Sequence, residues 1–189
     1  VIFVLLFLAF LMGIILVPKI DGKINMIKVA VMGIMAIFCY QSFWAFMFQL
    51  VGIPVNLKST CISMAAAVLL LWGMIIKKKK MQRIFVRITD IAVLAVLAGI
   101  VIAVSLHMFT PYLRLSYINS DPANHFNDAM VIVKQGVLGK HIYFSAFVNA
   151  MFIEIFSPIL IVSKYYKAFI FADIFMHVLE VWMCYVLML

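Results

Sequence analysis

The sequence predicts an all-α protein: a polytopic transmembrane helical bundle of about six spans, with an amphipathic interfacial helix in an outer loop. Of its 189 residues, 68% are hydrophobic, whereas soluble domains contain nearer half. Apolar runs close to the roughly 18 residues that can cross a bilayer follow one another along the chain. Among them lies a single long polar segment, from about 110 to 143.

The apolar runs define the predicted spans. Pro18 closes the first run, and Gly52 and Pro54 break the second. Asp90 is suited to cap the fourth span, and Pro158 is expected to kink the fifth. The six predicted spans are 1–17, 29–50, 61–76, 90–109, 146–162 and 168–189.

The positive charge of the chain is interpreted as a signal of membrane topology and not of nucleic-acid binding. Eleven of the 15 Lys and Arg residues lie in the short loops 19–28, 77–87 and 163–167. Cytoplasmic loops are enriched in basic residues, which also contact anionic membrane lipid. We therefore expect these loops on the cytoplasmic side of a cell (plasma) membrane. The N-terminal end and the 110–145 loop are then on the extracytoplasmic side. The four remaining basic residues are Lys58, Arg114, Lys134 and Lys140.

Residues 1–189 are expected to form a single transmembrane domain. The chain begins at Val1 inside one apolar run and stops at Leu189 inside another, so we expect it to be a fragment of a longer protein. No internal repeat or linker indicates a second domain. The cysteines are isolated and show neither metal-ligand spacing nor a disulfide framework. They are Cys39, Cys61 and Cys184.

The polar segment carries the signals of one surface helix. Asp121 can cap free backbone N–H groups, and Pro122 is tolerated in a first turn because its missing N–H is not needed there. Gly136 is a common C-terminal stop, so the predicted helix runs from about 122 to 135. It is two-faced and is expected to lie at the outer membrane interface. Its apolar face carries Phe126, Ala129, Met130 and Val133, and its polar face carries Asp121, His125 and Asp128.

Several polar groups fall inside the predicted spans, where charge is expensive and often functional. Asp173, His177 and Glu180 share one face of the sixth span at i, i+4 and i+7. Glu154 lies in the fifth span, and two antiparallel neighbours would place it level with Glu180. These groups fit either a proton or cation path, or interhelical hydrogen bonds with at least one acid protonated. Two amides are also expected to bond between helices, Gln41 and Gln49.

The stretch 120–126, which reads Ser-Asp-Pro-Ala-Asn-His-Phe, resembles part of the first large extracytoplasmic loop of GT-C type polytopic membrane glycosyltransferases. In that family an acid in this loop is essential, and Asp121 stands in its position. The resemblance implies a sugar donor on a polyprenyl phosphate or diphosphate and a glycan acceptor, as in cell-envelope glycan assembly. The family's loop follows the first core span, whereas here it follows the fourth, and Pro122 stands where many members carry a second acid.

The resemblance also implies roles for individual residues. Asp121 would be the general base that takes a proton from the acceptor hydroxyl, with His125 as a second catalytic residue. Independently of the resemblance, since metal use is not general in that family, Asp121 and Asp128 could bind a divalent metal together with His125. Cations would stabilise the charge of the leaving phosphate, and the candidates are Arg114, Lys134 and Lys140.

Other interpretations of these residues stay open. Asp121 is as well suited to a helix cap, and His125 and Asp128 are as well suited to a solvated polar face. A multi-span transporter or flippase would use the ionisable groups inside the spans. A non-catalytic membrane assembly subunit would use neither set.

Overall fold

The protein folds mainly into helices, with two short strands between them. A computed structural model of the chain describes residues 2–18, 23–77, 83–109, 120–138, 144–156 and 165–189. The elements in chain order are α1 (Ile2–Leu16), β1 (Lys23–Asn25), α2 (Met26–Leu50), α3 (Leu57–Lys77), β2 (Arg83–Phe85), α4 (Ile88–Phe109), α5 (Ser120–Gln135), α6 (Phe144–Phe156) and α7 (Tyr165–Met188).

Four of these helices are long and apolar enough to cross a membrane, and the chain fits a membrane-embedded protein. They are α2, α3, α4 and α7. The predicted count of about six spans is not confirmed, because the shorter apolar helices α1 and α6 have 15 and 13 residues. At about 1.5 Å per residue they measure roughly 22 and 20 Å, against a hydrocarbon core of about 30 Å.

The bundle has two ends that are distinguished by different elements. At one end, β1 pairs in parallel with β2, with Lys23 opposite Arg83 and Asn25 opposite Phe85. This end, which we call the β end, therefore joins the segment before α2 to the segment before α4. At the far end of α2, the Gln49 side chain accepts a hydrogen bond from the backbone N–H of Leu138, just beyond α5. We call this the α5 end.

Helix α7 runs from the α5 end to the β end. Near its start, the rings of Phe169 and Phe126 lie edge to face with centroids 5.4 Å apart, which places this part of α7 against α5. Near its end, Trp182 Nε1 donates to the Leu94 carbonyl at 2.9 Å, close to the start of α4. Helices α4 and α7 are therefore antiparallel. In the described residues, β2 and the start of α7 at Tyr165 therefore lie at different ends, whereas the sequence predicted the 77–87 and 163–167 loops on one side.

Helix α7 runs opposite to its predicted direction because α6 enters the bundle without reaching the β end. Phe147, in its first turn, lies beside Val55 in the α2–α3 connection. Phe152 packs on Phe38, near the middle of α2, with ring centroids 6.3 Å apart. Phe156, at the end of α6, packs against Phe171, which lies in the first two turns of α7. The predicted fifth span therefore contains a helix that stops partway.

Glycines bring α1 and α2 into backbone contact. A Cβ at Gly13 would overlap the Val29 carbonyl, and a Cβ at Gly33 would overlap the Ala9 carbonyl. Small residues at such contacts let membrane helices approach closely enough for van der Waals attraction to hold them. This pairing fixes α1 along the first half of α2, next to the β end.

Candidate functional site

The candidate site is organised by α5, whose C-terminal end is set by Gly136. The helix spans Ser120–Gln135, which includes the predicted range 122–135. Gly136 follows with φ +67°, a left-handed conformation that L side chains rarely adopt. A Cβ there would also lie 2.9 Å from the Pro54 Cβ. Glycine is therefore required at this position for both conformation and space.

Two hydrogen bonds dock the end of α5 onto the connection between α2 and α3. The Val55 N–H donates to the Gly136 carbonyl at 2.6 Å. The Leu138 N–H donates to Gln49 Oε1 at 3.1 Å. Gln49 thus bonds between segments as its sequence context predicted. Gln41 does the same, because its Oε1 accepts a hydrogen bond from the Ser63 hydroxyl of α3.

The apolar face of α5 packs against the rest of the protein. Ala129 and Ile132 are buried in the largest core cluster, which includes residues of α2, α6 and α7. Phe126, Met130 and Val133 are partly buried against the same cluster. The predicted apolar face is confirmed, and its contacts are with protein.

The polar side of α5 differs from the solvated face that the sequence suggested. His125 and Asp128 are half-buried, whereas Asn124, Asn127 and Lys134 are exposed. The helix therefore turns amides and one lysine outward, and it holds His125 and Asp128 at the edge of its packed face. The backbone of Asp121 lies in the first turn, but the structure does not describe the side chains of 120–123.

The structure brings His125 of α5 near the ionisable groups of α7. Asp173 lies close enough to His125, His177 and Glu180 to interact with all three electrostatically. Its Oδ2 atom is 3.8 Å from His177 Nδ1, which also lies 2.8 Å from the Asp173 carbonyl oxygen. The Asp173 side chain is 30% exposed and that of His177 is 57% exposed. Residues predicted separately, in a loop and in a span, thus form one cluster, which we call the α5–α7 cluster.

Other predicted site residues lie away from this cluster. Lys134 is exposed and nine residues beyond His125, which is roughly 13 Å along the helix. Arg114 and Lys140 lie outside the described residues. The metal role predicted for Asp121 and Asp128 stays a prediction. Among the residues that the structure describes, no group of three or more His, Cys, Asp or Glu is placed to hold a metal ion.

Glu154 and Glu180 lie near different elements. Glu154 lies close to the backbone N–H of Leu57, at the start of α3. Glu180 is exposed and 15 residues into α7, which is roughly 22 Å from the start of that helix. The expectation that the two carboxylates lie at one level stays a prediction.

A polar network at the β end was not foreseen. Asp90 is buried, and its two carboxylate oxygens accept hydrogen bonds from Asn25 Nδ2 at 3.3 Å and the Tyr185 hydroxyl at 3.1 Å. Asn25 also caps α2, because its Oδ1 accepts from the Ile27 N–H at 2.9 Å. Asp90 was predicted to cap α4, but that helix begins at Ile88 and the carboxylate bonds to other elements. Its partners are 65 and 95 residues away, beyond the reach of local sequence patterns.

The α5–α7 cluster combines a partly exposed carboxylate with two imidazoles where α5 packs near the middle of α7. Such groups can accept, donate and relay protons at neutral pH, and their partial exposure leaves them accessible. No protein-family model, curated protein or solved structure matches the chain. The geometry of the cluster and the neighbouring start of α5 are therefore the basis for assigning a function.

Proposed function

We propose that the chain is the transmembrane part of a membrane glycosyltransferase that takes a sugar from a polyprenyl-phosphate-linked donor at the α5 end, in cell-envelope glycan assembly. One observation carries the proposal: α5 begins at the acid-bearing stretch and packs against α7, so that His125 lies near Asp173. The proposed site thus has ionisable groups between α5 and the first half of α7, which a lipid-linked substrate would approach from the α5 end.

The proposed orientation places the α5 end outside. We propose that the 163–167 connection also lies outside. Lys164 and Lys167 then count among the outer Lys and Arg residues. The basic residues then divide nine to six instead of eleven to four. The positive-inside rule still favours the β end as the cytoplasmic end. Impermeant labelling of a single cysteine introduced at Lys58 tests this orientation, because labelling from outside supports it and labelling only after permeabilisation contradicts it.

In the proposed reaction, the acceptor hydroxyl loses a proton as it attacks the anomeric carbon of the donor sugar. Asp121 takes that proton as general base. His125, one helical turn further along α5, faces the acceptor, and Asp173 orients its imidazole. The phosphate that leaves carries negative charge, for which Arg114 and Lys140 are the proposed partners. Lys134 is proposed to contact a more distant part of the donor, because of its spacing from His125.

The test of this proposal compares Asp121→Asn with Asp121→Ala. Asn caps a helix nearly as well as Asp, but an amide cannot act as a general base. We expect both variants to lose about a hundredfold or more in sugar transfer from a polyprenyl-phosphate donor. We expect the Asn variant to keep the melting temperature of the wild type in detergent. Near-normal transfer by a well-folded Asn variant would falsify the catalytic assignment and leave Asp121 as a residue of the first turn of α5.

A second candidate function, proton- or cation-coupled transport, rests on the ionisable face of α7. Asp173, His177 and Glu180 lie on one side of a spanning helix, and the last two are exposed. The two functions make opposite forecasts for purified protein in liposomes. A transporter would lose ion flux in Glu180→Gln and keep it in Asp121→Asn. The glycosyltransferase would lose sugar transfer in Asp121→Asn and keep it in Glu180→Gln.

A further inference from the structure

A pocket at the β end collects positive charge against an apolar wall. Lys23 of β1, Lys28 of α2 and Arg87, which precedes α4, all line it. Its apolar lining includes Val17 and Phe85. The pocket is open and also lined by Leu189: its empty space of about 430 Å³ includes solvent at the mouth, and about 60 Å³ is open to the centre of a water molecule. We call it the basic pocket.

The cations of the basic pocket are not neutralised by the acids that the structure describes. In the described ranges, the one ion pair within 4.0 Å joins His177 to Asp173 of α7. Asp90 is buried and bonds to Asn25 of the pocket lining and to Tyr185. Asp21, two residues before β1, lies outside the described residues.

The position of the pocket indicates the source of its ligand. Lys23 and Arg87 precede the starts of α2 at Met26 and of α4 at Ile88, and Lys28 lies in the first turn of α2. The pocket therefore sits where two spanning helices leave the hydrocarbon core, at the level of lipid headgroups. Arg87 is held in place with its guanidinium 5.8 Å from the centre of the Phe85 ring. Arginine and lysine together are well suited to phosphate, through a planar fork and a point charge.

We propose that the basic pocket binds the phosphate of an anionic phospholipid, with the apolar wall contacting the start of its acyl chains. Three cations favour a headgroup with net negative charge over a zwitterionic one, whose own ammonium they repel. None of the residues that line the pocket belongs to the α5–α7 cluster. The basic pocket therefore does not depend on the function proposed for that cluster.

The test measures binding of short-chain phosphatidylglycerol and phosphatidylcholine to the purified full chain by native mass spectrometry and thermal shift. The pocket variant is Lys23→Gln with Arg87→Gln. The matched control is Lys58→Gln with Lys167→Gln, which removes two equally exposed cations at the α5 end. We expect wild type and control to prefer phosphatidylglycerol. We expect the pocket variant to lose affinity for it by roughly thirtyfold, with no change for phosphatidylcholine.

Equal losses in the pocket variant and the control would overturn the proposal, because they would indicate a general effect of charge. Equal binding of the two lipids by wild type would overturn it as well. If the pocket variant is unstable, the salt dependence of wild type decides. Raising the salt from roughly 0.1 to 1 M shortens the Debye length from about 10 to 3 Å, so phosphatidylglycerol binding must weaken severalfold.

A further arm separates a lipid from a soluble phosphate. Inorganic phosphate and glycerol phosphate are added as competitors in about hundredfold excess over the lipid. We expect neither to displace phosphatidylglycerol, because they lack the acyl chains that contact Val17 and Phe85. Displacement by either would show that the pocket recognises a free phosphate, and the lipid assignment would be wrong.

Discussion

At the β end, both carboxylate oxygens of buried Asp90 accept hydrogen bonds, whereas in the α5–α7 cluster the side chain of Asp173 is 30% exposed near two histidines. The first arrangement uses the carboxylate to join three elements. The second leaves a carboxylate and imidazoles accessible within a packed frame. A polar group that holds a membrane bundle together is stabilising when its hydrogen bonds are made, whereas a group that serves a reaction must stay partly exposed. Substitutions in the two regions should therefore affect different properties.

The largest effect on stability is expected from Asp90→Ala. The change removes two hydrogen bonds to a charged group and leaves Asn25 Nδ2 and the Tyr185 hydroxyl without this partner. We expect a loss of about 3 kcal/mol in the free energy of unfolding, measured by detergent-denaturation titration. Sugar transfer per folded molecule should be unchanged. Glu180→Ala, which removes an exposed acid of α7, is the control, and a similar loss there would contradict the comparison.

The next effect concerns the frame of the α5 end. Gly136→Ala combines an unfavourable φ with a contact at 2.9 Å, and we expect it to cost about 2 kcal/mol. Gly52→Ala separates the cost of the positive φ from the cost of the steric contact. Gly52 also has a positive φ, of 73°, but nothing lies within 4 Å of the added carbon. Thermal unfolding of both variants should therefore show the smaller loss for Gly52→Ala. Equal losses would mean that the docking of α5 on Pro54 is not tight.

A double-mutant cycle tests whether the α5–α7 cluster acts as one functional unit. If His125 and Asp173 interact, their substitutions by Ala and Asn should be non-additive in kcat/KM by about 1 kcal/mol, or roughly fivefold. The control cycle pairs His125→Ala with Lys134→Gln, two positions that the structure places far apart on α5. Additive effects in the first cycle would remove the cluster as a functional unit, whatever the size of each single effect.

The smallest expected effect is that of Gln49→Leu. It deletes one hydrogen bond, to the Leu138 N–H, and interhelical polar contacts in membranes average about 0.6 kcal/mol. The unfolding free energy should fall by about that amount in a detergent titration. Gln41→Leu, which deletes the bond to Ser63, offers a comparison within the spans. A loss above about 2 kcal/mol for Gln49→Leu would mean that the amide supports more of the α5 end than this contact.

The parts of the fold that the sequence predicted are those with local signals. The Gly136 stop agrees with the end of α5 at Gln135, whereas the helix begins at Ser120, so that Asp121 lies in its first turn and not at the predicted cap position. The apolar spacing of Phe126, Met130 and Val133 likewise identified the packed face. Local patterns do not show where α5 docks, which depends on Gln49 and the α2–α3 connection.

The parts that escaped prediction depend on contacts between distant residues. Hydropathy cannot distinguish an apolar run that crosses the bilayer from one that packs partway, and this error about α6 reversed the direction of α7. Strands β1 and β2 have three residues each and pair across 60 positions, so neither shows a strand pattern by itself. The proximity of His125 and Asp173 likewise exists only after α5 folds back onto α7.

The parallel pairing of β1 with β2 has a consequence for the order in which the protein is made. Asn25 and its strand leave the ribosome early, but Phe85, opposite it, is synthesised only after the whole of α3. The second oxygen of the Asp90 carboxylate can accept its hydrogen bond only after Tyr185, almost a hundred residues later, has been synthesised. The β end must therefore close after translation of α7, and until then α4 depends on lipid or on the insertion machinery to cover the surface that Trp182 later contacts.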